Sequence, residues 1–170
     1  MAFIEKFLGK RVEVPEDRRY VVKPGLWAKA EGPEVRFGLT EPELVLAGGI
    51  NDLEWLVWEG EEVEQGQSIA IAITGKIKYI DVPLAGVLRL NPKVKESTSI
   101  IVQDPYGQGW LFQINPGSGT ESALQGLSAA EAYIESLQNS EGCKNPEGLK
   151  GGVSGICKAV YSGIRDQKFQ

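Results

Sequence analysis

Histidine is absent from this chain of 170 residues. That removes the usual general base, the commonest metal ligand and any His-based catalytic triad. Cysteine is almost as scarce. Cys143 and Cys157 are too few for a disulfide framework or a four-thiolate metal site. Their spacing fits no thiol redox motif, and Cys157 falls on an apolar helical face, where a buried, inert thiol is the expected state. No apolar run is long enough to span a bilayer. The formal net charge of −5 supplies no excess of cations for nucleic acid or for an anionic membrane surface. The opening Met1-Ala2-Phe3-Ile4-Glu5-Lys6 carries charge too early for a signal peptide, so a cytoplasmic protein is expected. Solo catalysis and metal binding are not expected, and no residue is assigned to either.

What the chain has is glycine, 21 residues of it, and short apolar runs between turn signals. This composition favours a turn-rich β architecture over a helical bundle. Residues 2–9 place Phe3, Ile4, Phe7 and Leu8 at helical spacing, which predicts a short amphipathic helix and a helical extension over residues 1–19. From Tyr20 the period changes. Strands are expected at Tyr20–Val22, Leu26–Ala30, Val35–Leu39 and Ile50–Trp58, the last with Trp55 and Trp58 in or over the core. Further strands are expected at Val87–Leu90, Ser99–Val102 and Trp110–Ile114. Thr40 has the chemistry of a helix N-cap ahead of Glu41-Pro42-Glu43. Asp104-Pro105-Tyr106-Gly107 has Asp, Pro and Gly where a type I turn wants them. Ser128-Ala129-Ala130-Glu131 reads as a capping box opening a helix to about Leu137, with Tyr133, Ile134 and Leu137 inward. Residues 139–170 form an extension in which Val153, Ile156, Cys157, Val160 and Ile164 recur at helical spacing, as in a second amphipathic helix.

The stretch Ser68–Pro83 is the candidate functional element. Ile69, Ile71 and Ile73 alternate with small residues, and a second run starts at Ile77. Gly75-Lys76 between them has the chemistry of a type II′ hairpin loop, with Gly75 supplying the positive φ. That loop pairs Thr74 with Ile77, Ile73 with Lys78, Ile71 with Ile80 and Ile69 with Val82. The isoleucines and Val82 then share the core face, and Ala70, Ala72, Tyr79 and Asp81 the other. Lys76 stands at the tip with its ammonium in solvent, suited to covalent modification by another enzyme and untuned as a catalytic amine. Lys78 is a second candidate, but the pairing sets it beside Ile73 on the core face as a snorkelling lysine.

The same residues carry a resemblance. Trp27, Gly38-Leu39-Thr40, Gly49-Ile50, Gly60 with Val63 and Gly66, Pro83 with Gly86 and Asn91, Ala130-Glu131-Ala132-Tyr133 and above all Asp104-Pro105-Tyr106-Gly107-Gln108-Gly109-Trp110-Leu111-Phe112 stand in the order of the glycine cleavage H proteins. Residues 20–138 therefore resemble that family of lipoyl carriers. The resemblance implies a mostly β fold, a small lipoyl/biotinyl-type sandwich or flattened barrel with a C-terminal helix. It implies a carrier subunit rather than an enzyme, with lipoate in amide linkage on Lys76. Implied partners are a lipoate-attaching enzyme, glycine decarboxylase, aminomethyltransferase and dihydrolipoyl dehydrogenase.

The chain departs from the family at the tip. Ile73 stands where the family has glutamate, Ile77 follows the lysine in place of alanine, and the segment from Lys76 to Pro83 is one residue shorter. Gly25-Leu26-Trp27 replaces His-Glu-Trp. Two alternatives follow from these departures: an H-like lipoate-binding protein of sulfur metabolism, serving a heterodisulfide-reductase-like complex, and an H-like protein-binding module without lipoate.

Overall fold

The computed structural model describes residues 2–149. The chain runs β1 (Ala2–Phe7), β2 (Lys10–Val14), β3 (Arg19–Val21), β4 (Leu26–Glu31), β5 (Glu34–Leu39), α1 (Glu41–Ala47), β6 (Asp52–Trp55), β7 (Glu62–Val63), β8 (Ser68–Ile73), β9 (Ile77–Asp81), β10 (Gly86–Leu90), α2 (Pro92–Glu96), α3 (Ser99–Gln103), β11 (Phe112–Asn115), α4 (Thr120–Gln125), α5 (Ala130–Leu137) and α6 (Glu141–Lys144). A six-stranded sheet has the order β3-β4-β5-β11-β10-β7, and a three-stranded sheet the order β6-β8-β9. Every strand pair is antiparallel. Leu26, Phe37, Leu88, Phe112 and Ile114 of the larger sheet share one core cluster with Ile69, Ala70, Ala72 and Ile80 of the smaller. The two sheets form an open sandwich that keeps separate edges instead of closing into a barrel.

Alternation along β4 and β5 explains how a second core arises on the other face. Leu26 and Ala28 enter the main cluster, while Trp27 between them points the opposite way. Trp27 pairs across the strands with Gly38, where a Cβ would lie 2.6 Å from the indole. The glycine of Gly38-Leu39-Thr40 is thus the floor on which the tryptophan lies. The indole N–H donates to the Pro105 carbonyl at 2.9 Å, which ties the Asp-Pro-Tyr-Gly turn to β4. In that turn the Gly107 N–H donates to the Asp104 carbonyl at 3.2 Å, as a type I turn requires. The Tyr106 hydroxyl donates to the Glu13 carbonyl at 2.6 Å and accepts from the Glu41 N–H at 2.9 Å. Tyr20 and Tyr133 stack with centroids 4.8 Å apart, and the Tyr133 hydroxyl lies 2.6 Å from Thr40 Oγ1. Thr40 caps α1 through the Glu43 N–H, as its sequence position predicts.

Several expected elements take another form. Residues 2–9 are not a helix: β1 and β2 make a hairpin through Leu8 and Gly9, both at positive φ, the geometry of a type I′ turn. A helix there would bury only its own apolar stripe. The hairpin delivers Phe7, Val12 and Val14 together to the second core beside Tyr20, Trp27 and Leu137. It is stapled to α6 and the following turn by the Leu8 and Gly9 N–H groups, which donate to Gly142 and Pro146 carbonyls at 3.2 and 2.7 Å. Ser99–Val102 is helical, not extended, because one turn buries Ile101 while leaving Val102 exposed. The strand expected over Ile50–Trp58 is confined to β6; Trp55 packs against the core, but Trp58 is 82% exposed. The capping box at Ser128 does not form. Ser128 exchanges backbone hydrogen bonds with Tyr20, and Ala129 takes the N-cap position of α5. Tyr133 and Leu137 are buried as expected, with Ile134 packed beside them. The amphipathic helix expected over Val153–Ile164 lies outside the described residues.

Candidate functional site

β8 and β9 form a hairpin, with a register one residue away from the expected one. Ile73 pairs with Ile77, Ala72 with Lys78, Ile71 with Tyr79 and Ala70 with Ile80. The tip is therefore Thr74-Gly75-Lys76, three residues and not two. Gly75 is exposed and has no positive φ, so it does not make a type II′ turn. Thr74 closes the loop instead: its N–H and hydroxyl donate to the Lys76 carbonyl at 2.9 and 3.0 Å, and its Oγ1 accepts the Lys76 N–H at 3.1 Å. A β-branched residue whose hydroxyl bonds locally is well suited to a tight tip. The side chain of Lys76 is exposed, and no contact ties it to another described residue.

On β8 the faces are also reversed beyond Ile69, whereas Ile69, Ile80 and Val82 are buried and Tyr79 and Asp81 exposed, as expected. An irregularity between Ser68 and Ala70 lets the consecutive residues Ile69 and Ala70 both be buried. Beyond it Ala72 and Ile80 point inward, and Ile71, Ile73, Ile77 and Tyr79 point outward. The small alanines are opposite large residues of β6, Ala70 against Trp55 and Ala72 against Leu53. Alternating large and small residues across the inner face keeps it filled. Isoleucines at the alanine positions would overpack it.

Lys78 lies on the inner side, beside Ala72 and not Ile73, and its ammonium donates to the Glu43 carboxylate in an ion pair. Burial pushes the Glu43 carboxyl up, and Lys78 pulls it back down. Gly25 makes room for this: a Cβ there would lie 2.5 Å from Glu43 Oε1. The position that departs from His-Glu-Trp thus admits a carboxylate from α1. Val22, Pro24, Leu46, Tyr79, Ser136 and Ser140 join the pair around a cleft of about 420 Å³ on the tip half of β9. Sequence reasoning did not find Glu43 or Thr74 as members of this site. Glu43 is far from the hairpin in sequence, and Thr74 carried only the weak signal of any turn threonine.

The two lysines of the hairpin are thus in different chemical situations. Lys78 is neutralised and held, whereas Lys76 is solvated and unpaired. An open sandwich with one such amine on a stiff tip is a presentation scaffold, with no enclosed reaction pocket built around that amine. Comparison with known proteins makes the class specific. The family model for glycine cleavage H-protein matches residues 18–140, and the chain belongs to that family. It is 33% identical over 135 residues to the probable glycine cleavage system H protein 2 of Sulfurisphaera tokodaii, covering 76% of this chain and 90% of that one. It is 32% identical over 130 residues to the glycine cleavage system H protein of Thermus thermophilus, covering 75% and 98%. The crystal structure of the H protein of Mycobacterium marinum superimposes with a TM-score of 0.60 at 26% identity, over 72% of this chain and 97% of that one. No helix among the described residues is long and apolar enough to cross a membrane.

Proposed function

We propose that the chain is a carrier that holds lipoate in amide linkage on Lys76 and serves the glycine cleavage enzymes. One observation carries the reading: within the hairpin only Lys76 has a free, solvated amine, and it sits at the tip. The residues present fit the group. Gly75 and Lys76 are exposed at the tip, and the hydrogen bonds of Thr74 hold the backbone under the amine. Deprotonated Lys76 Nζ attacks the carbonyl carbon of an activated lipoyl ester; the C–N bond forms, the bond to the leaving oxygen breaks, and the amine proton passes to water. Once attached, a lipoyl group supplies a dithiolane that accepts two electrons and can carry a substrate fragment on sulfur. The chain's own contribution is mechanical: a tether on a rigid scaffold keeps its reactive end at high effective concentration near each partner. Glycine decarboxylase, aminomethyltransferase and dihydrolipoyl dehydrogenase are the partners this family membership favours. The heterodisulfide-reductase-like complex is the competing set.

A non-lipoylated binding module is the second reading. What favours it is Ile73 and Ile77 flanking the lysine on the solvent side. Intact-mass measurement of protein from its native source decides between them. A mass increment of one lipoyl group mapped to Lys76 is the carrier's result, and an unmodified mass is the module's.

A further inference from the structure

The three-stranded sheet presents two ordered rows to solvent. Across its strands run Asp52, Ile73 and Ile77 in one row and Glu54, Ile71 and Tyr79 in the next. Ile77 and Tyr79, on the edge strand β9, are 67% and 57% exposed, and Ile71 and Ile73 are half-buried. Asp52 and Glu54 are exposed along the opposite edge, β6. The inner side of the same sheet already supplies the core through Ala70, Ala72 and Ile80, so the fold does not call for the outer apolar column. Threonine would satisfy a strand at these positions equally well. Contiguous apolar side chains bordered by charge mark a surface that another protein covers.

We propose that this outer face is the surface by which the enzyme that acylates Lys76 grips the chain, with an apolar patch against Ile71, Ile73, Ile77 and Tyr79 and a basic rim against Asp52 and Glu54. The inference rests on the carrier reading of Lys76. Position selects the partner. The attaching enzyme must bring an activated acyl carbon within bonding distance of Nζ, so its surface has to close around the tip. Ile77 is next to Lys76 in the chain, and Ile73 is paired with Ile77. Enzymes that act at the far end of a loaded arm work a full arm's length away and are under no such constraint. Recognition here is therefore apolar at the centre, where the family's glutamate stands as Ile73, and the acidic contribution is displaced to β6. Buried apolar contacts set the lifetime of the complex, and the acidic edge sets its approach and salt dependence.

The test is lipoylation of the full chain by the lipoate–protein ligase of its own source, with lipoate and ATP, followed by intact mass over time. The double variant Ile77→Thr/Tyr79→Thr is expected to load about tenfold more slowly at limiting carrier, with KM raised and kcat nearly unchanged. Asp52→Lys/Glu54→Lys is expected to load more slowly and with a flatter dependence on salt. Val87→Thr, which alters an exposed apolar residue on β10, should load like the wild type. Thermal melting of each variant checks that the fold is intact. Equal loading by wild type and Ile77→Thr/Tyr79→Thr overturns this inference and leaves the carrier reading standing, as does an equal slowing by Val87→Thr. A wild-type chain that is never loaded overturns both.

Discussion

Lys78 and Glu43 form an ion pair just below the hairpin tip that carries Lys76. Their side chains keep only 26% and 18% of their exposure, so the pair is largely withdrawn from water. Two lysines separated by one residue are thereby given opposite roles, one held inside the fold and one released to solvent.

That division is testable by substitution at each site. Lys76→Arg keeps the charge but removes the acylatable amine, and no lipoyl increment should appear in its intact mass. Lys78→Met should still be loaded at Lys76 but leaves the Glu43 carboxylate without its partner. The expected cost is about 1–3 kcal/mol of unfolding free energy, read from urea denaturation. Loading of Lys76→Arg at Lys78 would reverse the assignment.

At Gly38 the main chain lies directly against an aromatic ring. Gly38→Ala puts a methyl against the Trp27 indole, which is pinned by its hydrogen bond to Pro105 and cannot retreat. A loss of about 1–3 kcal/mol is expected in the same assay. A Trp27 fluorescence shift should accompany it if the ring is displaced.

The buried tyrosines give the protein an alkaline limit. Burial pushes the phenols of Tyr20, Tyr106 and Tyr133 above the ordinary value of 10.0. A phenol whose pKa is higher folded than unfolded contributes stability that is complete below the unfolded value and is lost as pH rises past it. Ultraviolet titration should therefore show these three ionising only as the protein unfolds, and urea midpoints should fall above about pH 10. Tyr133→Phe keeps the stacking on Tyr20 but drops the contact with Thr40, at an expected cost of about 1 kcal/mol.

Thr74 is expected to set the stiffness of the tip. Thr74→Ala removes the hydroxyl that both donates to and accepts from Lys76 backbone groups. Amide exchange at Lys76 should speed up several-fold while global stability changes by under about 1 kcal/mol, since the tip is exposed. Unchanged exchange would mean that the strand pairing alone holds the loop.

Much of this site was readable from residue order. The Asp104–Gly107 turn, the Thr40 cap and the existence of a hairpin ending near Lys76 each depend on chemistry within a few residues. The inner face of β8 beyond Ile69 was not readable. Alternation of isoleucine with alanine allows either face to be the inner one, and the decision rests on Leu53 and Trp55 in β6, which fill the space opposite Ala72 and Ala70. The N-terminal segment misled for a related reason. Phe3, Ile4 and Phe7 fit a helical stripe as well as a bulged strand, and only the contacts of Phe7 with the second core and of Leu8 and Gly9 with the α6 region separate the two.

From residue types and their spacing alone came a chain without histidine chemistry, a turn-rich β architecture, and a lysine on a turn. Those are local or compositional properties, fixed by which dihedrals and side-chain bonds each short stretch can adopt. Tertiary structure decided that Glu43 of α1 neutralises Lys78 and leaves Lys76 free, and that Ile71, Ile73 and Ile77 face outward while Ile69 and Ile80 are buried. Both outcomes depend on groups brought together from distant parts of the chain, where packing volume and desolvation, acting across the sandwich, choose among alternatives that are locally equivalent.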